Sequence, residues 1–89
     1  MIIRQNIFKI PRLFVKGNKE LNQQKFANAV LKAAEMKDLS LRKLAASSGL
    51  EFSQVQRIAK GKVNLSLSTI ISLAEGLEIS PSELFGYYE

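Results

Sequence analysis

One stretch of this chain, LSLRKLAASSGLEFSQVQRIAKG from Leu39 to Gly61, limits the possible folds more than any other. It predicts two short helices that meet at Gly49. Both show apolar residues at helical spacing: Leu41, Leu44 and Ala45 in the first, and Val55, Ile58 and Ala59 in the second. Two helices that cross steeply through a short turn need a small residue where they touch and a residue that tolerates positive φ at the corner. Ala45 fits the first role and Gly49 fits the second.

The same stretch resembles the helix-turn-helix DNA-binding domains of the Xre/Cro-like bacterial and phage regulators. The resemblance covers residues 26–85 and rests on four segments in the order and spacing of that family, LSLRKLA, SGL, RIAKGK and LSTIISLAEGLEISPSELF. It implies an all-α, lambda-repressor-like domain of four or five helices that binds double-stranded DNA. In this family the second helix of the motif is the recognition helix.

The amino-acid composition excludes most enzyme chemistry. The chain has no cysteine and no histidine, so thiolate zinc sites, thiol nucleophiles and imidazole bases are all absent. Glu75 and Glu78 are at helical spacing, but no partner is positioned beside them, and we interpret them as exposed charge. We expect a protein that is not an enzyme and that needs no cofactor or metal.

The length and the N-terminal sequence predict one domain away from the membrane. With 89 residues the chain can form a single small core. No apolar run approaches the roughly 18 residues that span a bilayer, and Arg4, Lys9 and Arg12 interrupt any signal-peptide core. We expect a cytoplasmic protein with no membrane partner.

The net charge of +5 is unevenly distributed along the chain. Residues 1–62 hold all 13 Lys and Arg and four acidic residues, a net charge of +9, whereas residues 63–89 hold four glutamates and no basic residue, a net charge of −4. A basic part of this kind suits a polyanion. Because it coincides with the helix-turn-helix, nucleic acid is favoured over a merely soluble surface.

Residues 1–21 lie outside the resemblance and are predicted to form an extended or strand-like arm, followed by the helix-turn-helix domain over residues 22–89. Pro11 and the β-branched and aromatic content argue against a helix. The arm can be interpreted as folding back on this domain's own core or as a disordered tail. It can equally be an exchanged strand or a partner-binding segment, because so apolar a stretch is unfavourable in water.

The helices outside the motif are predicted from apolar spacing and from caps. A first helix over residues 22–37 has an apolar face of Phe26, Ala29, Val30, Ala33 and Met36. A later helix, capped by Ser66, buries Leu67, Ile70, Ile71, Ala74 and Leu77. Ser40 caps the second helix, and Ser80 with Pro81 and Glu83 starts the last one, where Leu84 and Phe85 would close the core. Tyr87 and Tyr88 are interpreted as packing, with a dimer contact as the alternative.

The recognition helix is expected to carry the residues that contact DNA. With Val55 facing the core, a rotation of about 100° per residue places four polar side chains on the opposite side. Gln and Arg have the geometry to read adenine and guanine, and in the family the loop after Gly61 runs beside the DNA backbone. The predicted DNA-binding residues are Ser53, Gln56, Arg57, Lys60, Lys62, Asn64 and Arg42. Solvated surface is the alternative for each, and Ser53 with Gln56 competes with Glu51 as the cap of this helix.

Two pairs of residues depart from the family. Its members usually carry a buried arginine on the first helix that pairs with an acidic residue before the closing glycine, and the matching residues here are Ala34 and Ala59. Loss of both partners leaves no unpaired buried charge, so we expect an apolar contact. Leu41 and Phe52 stand where many members carry two polar residues that meet. A contact between them would keep both out of water, so core or half-buried packing is favoured over contact of Phe52 with a thymine methyl.

These observations predict a sequence-specific, double-stranded-DNA-binding transcriptional regulator that acts as a homodimeric repressor. One alternative is the antitoxin of a toxin–antitoxin pair, whose arm would hold the toxin partner while the helix-turn-helix represses the operon. Another is a protein-interaction module that kept the fold and lost DNA binding. Leu41 and Phe52 favour that last interpretation slightly, whereas the basic recognition helix opposes it.

Overall fold

The computed structural model describes residues 18–88, and within this range the chain forms five helices and no strand. The all-α prediction is therefore confirmed. The helices are α1 (Lys19–Met36), α2 (Leu41–Ser48), α3 (Phe52–Ala59), α4 (Leu67–Leu77) and α5 (Pro81–Phe85). The predicted arm lies outside the described residues except for its last few positions, so its conformation stays a prediction.

Helix α1 begins at Lys19, three residues before the predicted start at Asn22. The Asn18 side chain causes the earlier start, because its Oδ1 accepts a hydrogen bond from the Leu21 N–H at 3.2 Å and so satisfies one of the free donors of the first turn. The predicted boundary between arm and domain at residue 22 therefore falls inside a helix.

Serine caps start three of the other helices, as the sequence predicts. Ser40 Oγ accepts from Lys43 N at 3.1 Å, and Ser66 Oγ accepts from Thr69 N at 3.2 Å. Ser80 forms a complete capping box with Glu83, with distances of 3.1 and 3.2 Å for the two reciprocal bonds. These caps depend only on residues three apart, and they fix where α2, α4 and α5 begin along the chain.

The core lies where the five helices meet. Its largest fully buried side chains are Val30, Leu44, Val55, Ile58, Leu73, Leu77 and Leu84. Ala34 is buried and Ala59 half-buried, so the apolar replacement predicted at this pair agrees with their environment. A polar or charged side chain is not among the buried residues of the described range.

Four residues that were predicted to be core are exposed instead, and one of them, Ile71 on α4, is 37% exposed. Met36 and Leu67 are 68% and 72% exposed, because they are the last residue of α1 and the first of α4, and no neighbouring helix covers these ends. Phe85 is 45% exposed, since Leu84 occupies the buried position beside it. The Phe85 ring instead lies on the surface next to Phe26, with 5.6 Å between the ring centroids.

Tyr88 packs back on α1, as the packing interpretation predicted. Its ring lies 6.2 Å from that of Phe85, centroid to centroid, and its hydroxyl donates to Asn22 Oδ1 at 3.0 Å. The end of the described chain is thereby tied to the first turns of α1.

Helices α2 and α4 approach each other closely at Gly76. A Cβ atom at this position would lie 2.9 Å from Ser48 N and 3.0 Å from Ser48 Cα, so only glycine fits without movement. Ser47 Oγ donates to the Gly76 carbonyl at 3.0 Å across the same crossing. The Ser48 hydroxyl is buried there and has no hydrogen-bond partner among the described residues. This contact fixes where α2 sits.

Candidate nucleic-acid interface

The turn between α2 and α3 has the geometry that the sequence predicted. Gly49 adopts the left-handed conformation, with φ 72° and ψ 25°, and the Leu50 N–H closes the turn on the Ala45 carbonyl at 3.0 Å. A Cβ atom on Gly49 would meet nothing within 4 Å, so the glycine is required by backbone conformation and not by space. Ala45 is buried, as a small residue at a helix crossing should be.

Helix α3 begins at Phe52 with Glu51 at the N-cap. The alternative capping box of Ser53 and Gln56 is wrong, because the Val55 N–H already donates to the Glu51 carbonyl at 3.1 Å and Ser53 is therefore inside the first turn. The Glu51 side chain makes no capping hydrogen bond. Glu51, where the family resemblance placed the start of this helix, is the observed N-cap.

The outer face of α3 carries the four residues predicted to point away from the core. Val55 and Ile58 are buried and anchor the helix, whereas Ser53, Gln56, Arg57 and Lys60 are all exposed. The predicted orientation is therefore that of the structure. Their contact with DNA stays a prediction.

The loop after α3 is held against α1. Gly61 adopts φ 71°, and a Cβ atom there would come within 2.9 Å of Gln24 Oε1 and 3.1 Å of Gln24 Cα. Three residues on, the Asn64 and Gln23 side-chain amides are 2.7 Å apart. Asn64 was predicted as a DNA-binding residue, but its contact with Gln23 and the position of Gln24 were not predicted. Nothing local in the sequence indicates a pairing between residues 41 positions apart.

An open groove of about 610 Å³ lies between α3, this loop and the start of α4. Its walls include four of the seven predicted DNA-binding residues, Ser53, Arg57, Lys62 and Asn64. Gln56, Lys60 and Arg42 do not line it. The structure therefore brings a basic pair and two polar side chains to one concave surface, with the other three outside it.

Arg42 contacts an aromatic ring instead of standing alone in solvent. Its guanidinium carbon lies over the Phe52 ring, 4.0 Å from the ring centroid. Arg42 is exposed, whereas Leu41 and Phe52 are half-buried and pack against the core, as predicted for those two apolar residues. The ring thus joins the first turn of α2 to the first turn of α3.

The charge of this surface differs from that of the C-terminal helices. Residues 39–62 hold five Lys and Arg against the single acidic residue Glu51, whereas residues 67–85 hold three glutamates, Glu75, Glu78 and Glu83, and no basic residue. These two parts of the described chain therefore attract opposite charges.

Neither a cluster of metal ligands nor a membrane-spanning helix is found in the described range. Residues 18–88 contain no group of three or more Asp and Glu that could hold a metal ion. None of their helices is both long enough and apolar enough to cross a membrane.

Comparison with known proteins gives a family and two similar structures. Residues 30–84 match the model of the family HTH_3, described as Helix-turn-helix. The restriction-modification controller protein C.AhdI from Aeromonas hydrophila is 38% identical, with a TM-score of 0.70 over 73% of this chain and 98% of that one. An HTH_3 family transcriptional regulator from Vibrio cholerae is 25% identical, with a TM-score of 0.73 over 78% of this chain and 39% of that one. No curated protein matches the sequence.

Proposed function

This chain belongs to the helix-turn-helix family HTH_3, and from that membership we propose that it is a transcriptional regulator that binds double-stranded DNA in a sequence-specific manner. It acts as a homodimer and represses transcription by occupying an operator. The outer face of α3 is the observation that carries the proposal. A helix of about 10–12 Å diameter fits the major groove, which is about 12 Å wide.

Some residues around α3 contact base edges on this proposal, and others contact the phosphates. Arg57 and Gln56 are exposed on α3 and have side chains suited to guanine and adenine edges. Lys62 stands in the following loop and neutralises phosphate, as does Lys60 at the end of the helix. Ser53 and Asn64 add polar contacts from the walls of the groove.

Homodimer formation follows from the geometry of the duplex. Two recognition helices must lie about 34 Å apart to meet successive major-groove faces, and one small domain offers too few base contacts for useful specificity. The apolar arm before Asn18 is the interface that we expect. The exposed apolar side chains on α4 and α5, Leu67, Ile71 and Phe85, make the C-terminal helices the other candidate.

The regulated genes are of one of two kinds. The 38% identity with C.AhdI, over almost the whole of that controller protein, favours control of restriction and modification genes. An antitoxin that represses its own operon is the second possibility. Genes for a methyltransferase and an endonuclease beside this gene would support the first, and a toxin gene would support the second.

Selection of bound duplexes from a random pool, followed by binding titrations, tests the proposal. We expect an enriched, two-fold symmetric sequence that the full chain binds about 10³-fold or more tightly than random duplex. Arg57→Ala should reduce this ratio. Lys32→Ala is the charge-matched control, since Lys32 lies near Tyr87 and away from the groove beside α3, and it should leave the ratio unchanged. Failure to enrich any sequence would refute sequence-specific binding.

A further inference from the structure

We propose that Phe52 is a positioning residue that holds the Arg42 guanidinium ready to bind a DNA phosphate beside the N-terminus of α3. The inference rests on the proposed DNA binding and adds to it a residue that itself touches no DNA. On this proposal Phe52, an apolar side chain, contributes to the affinity for DNA as well as to the hydrophobic core.

The two side chains differ in how firmly they are held. Phe52 is the first residue of α3, and its half-buried ring packs against the hydrophobic core. Arg42 is exposed on the first turn of α2, and its guanidinium carbon lies 4.0 Å from the centroid of that ring. A fixed ring therefore restrains a side chain that would otherwise sample many rotamers.

The contact leaves the hydrogen-bonding groups of the arginine available. Attraction between a guanidinium and a ring uses the negative face of the ring, while the five N–H donors of arginine lie at the edges of its plane. None of the side-chain hydrogen bonds found within residues 18–88 involves the Arg42 guanidinium. A phosphate can accept two of these donors in parallel, which is the geometry in which arginine binds anions most strongly.

The position of the pair points to phosphate and not to a base. Ser53 follows Phe52 directly, and together with Arg57 it lines the groove beside the outer face of α3. Arg42 lies on α2, and its contact with the ring of Phe52, the first residue of α3, places its guanidinium at the N-terminal end of the proposed reading helix. Flanking basic residues fix the register of a protein on the duplex without reading its sequence.

Removal of the ring should weaken binding because Arg42 must then be ordered when DNA binds. Immobilising one flexible side chain corresponds to about two- to tenfold in affinity. Phe52→Leu keeps an apolar side chain on the core and removes the ring. We therefore expect it to lower the affinity for both a selected duplex and a random-sequence duplex by that factor.

A double-mutant cycle in the full chain tests the coupling. Arg42→Ala should lower the affinity for fluorescein-labelled duplex and flatten the slope of log K against log salt by about 0.9. Adding Phe52→Leu to Arg42→Ala should then have no further effect. In a Lys62→Ala background, which serves as the control, Phe52→Leu should keep its full effect. Phe52→Tyr retains a ring and should bind as the wild type does, which separates loss of the ring from loss of the fold.

Nuclear magnetic resonance of the free protein supplies a readout that needs no DNA. A ring 4.0 Å from the Arg42 guanidinium carbon should shift the nearby Arg42 side-chain protons upfield, and Phe52→Leu should abolish the shift. Absence of the shift in the wild type would overturn the inference. So would an equal effect of Phe52→Leu with arginine and with alanine at position 42. If the shift is present but the protein binds no duplex, the proposed DNA binding is refuted, and the phosphate role of Arg42 is refuted with it.

Discussion

Replacement of Gly76 by alanine tests the close contact between α2 and α4. In an isolated helix this change would be favourable by about 1 kcal/mol. Here the new Cβ atom would lie 2.9 Å from Ser48 N and 3.0 Å from Ser48 Cα, so α2 and α4 must separate. Overpacking of this kind costs about 1–3 kcal/mol. Because backbone atoms cannot rotate away, we expect the upper end, and after the propensity gain a net loss of about 2 kcal/mol.

Urea denaturation followed by circular dichroism measures this loss. Glu75→Ala is the matched control, since Glu75 is exposed on the same helix and its replacement should change the free energy of unfolding by less than about 0.5 kcal/mol. Ser48→Ala alone should be neutral or stabilising, because it removes a buried hydroxyl without a partner. The double variant should keep most of the Gly76→Ala loss.

Two results would refute this reasoning. A Gly76→Ala protein as stable as the wild type would show that the two helices are not in backbone contact. Full recovery in the double variant would show that only the Ser48 hydroxyl was in the way.

Three further predictions concern other parts of the chain. Lys62→Ala should weaken binding to all duplexes alike and flatten the salt slope by about 0.9, as titrations at several salt concentrations will show; loss of specificity would instead make Lys62 a base reader. Glu78→Gly should raise the free energy of unfolding by about 0.5–1 kcal/mol in urea melts, because Glu78 ends α4 at φ 60°, where a side chain is strained; no gain would mean that the strain is relieved elsewhere. A chain that starts at Gly17, and so keeps the Asn18 cap, should stay folded and become more monomeric by light scattering; an unchanged dimer would move the interface to the C-terminal helices.

Features that depend on neighbouring residues were predictable from the sequence. Ser40, Ser66 and Ser80 cap their helices through bonds to the residue three positions on, so the pattern alone shows them. The left-handed conformation of Gly49 was also predictable, because the spacing of the flanking apolar residues places the turn between the two helices at this glycine. The outward face of α3 followed from Val55 and from helical rotation.

Features that depend on the lengths and positions of other helices were not predictable. The spacing of Met36 and Leu67 shows which side of a helix they occupy, but not that the neighbouring helices end before covering them. The contacts of Gln23 with Asn64 and of Arg42 with Phe52 join separate elements, and no pattern along the chain encodes them. Asn18 was assigned to the arm because it follows Gly17, although its side chain starts α1.

The contacts between α1 and the loop after α3 limit which parts of this domain can be transferred to another protein. Gly61 lies against Gln24, and Asn64 lies beside Gln23, while the Lys62 and Gly61 N–H groups donate to the Arg57 and Ile58 carbonyls of α3. The loop that carries Lys62 therefore takes its path from the first helix as well as from α3. On the proposed mode of binding, exchange of the outward residues of α3 for those of another regulator would change base preference and leave this loop in place. A two-helix motif grafted onto a foreign scaffold without α1 would keep Arg57 but lose the contacts of the loop with Gln23 and Gln24.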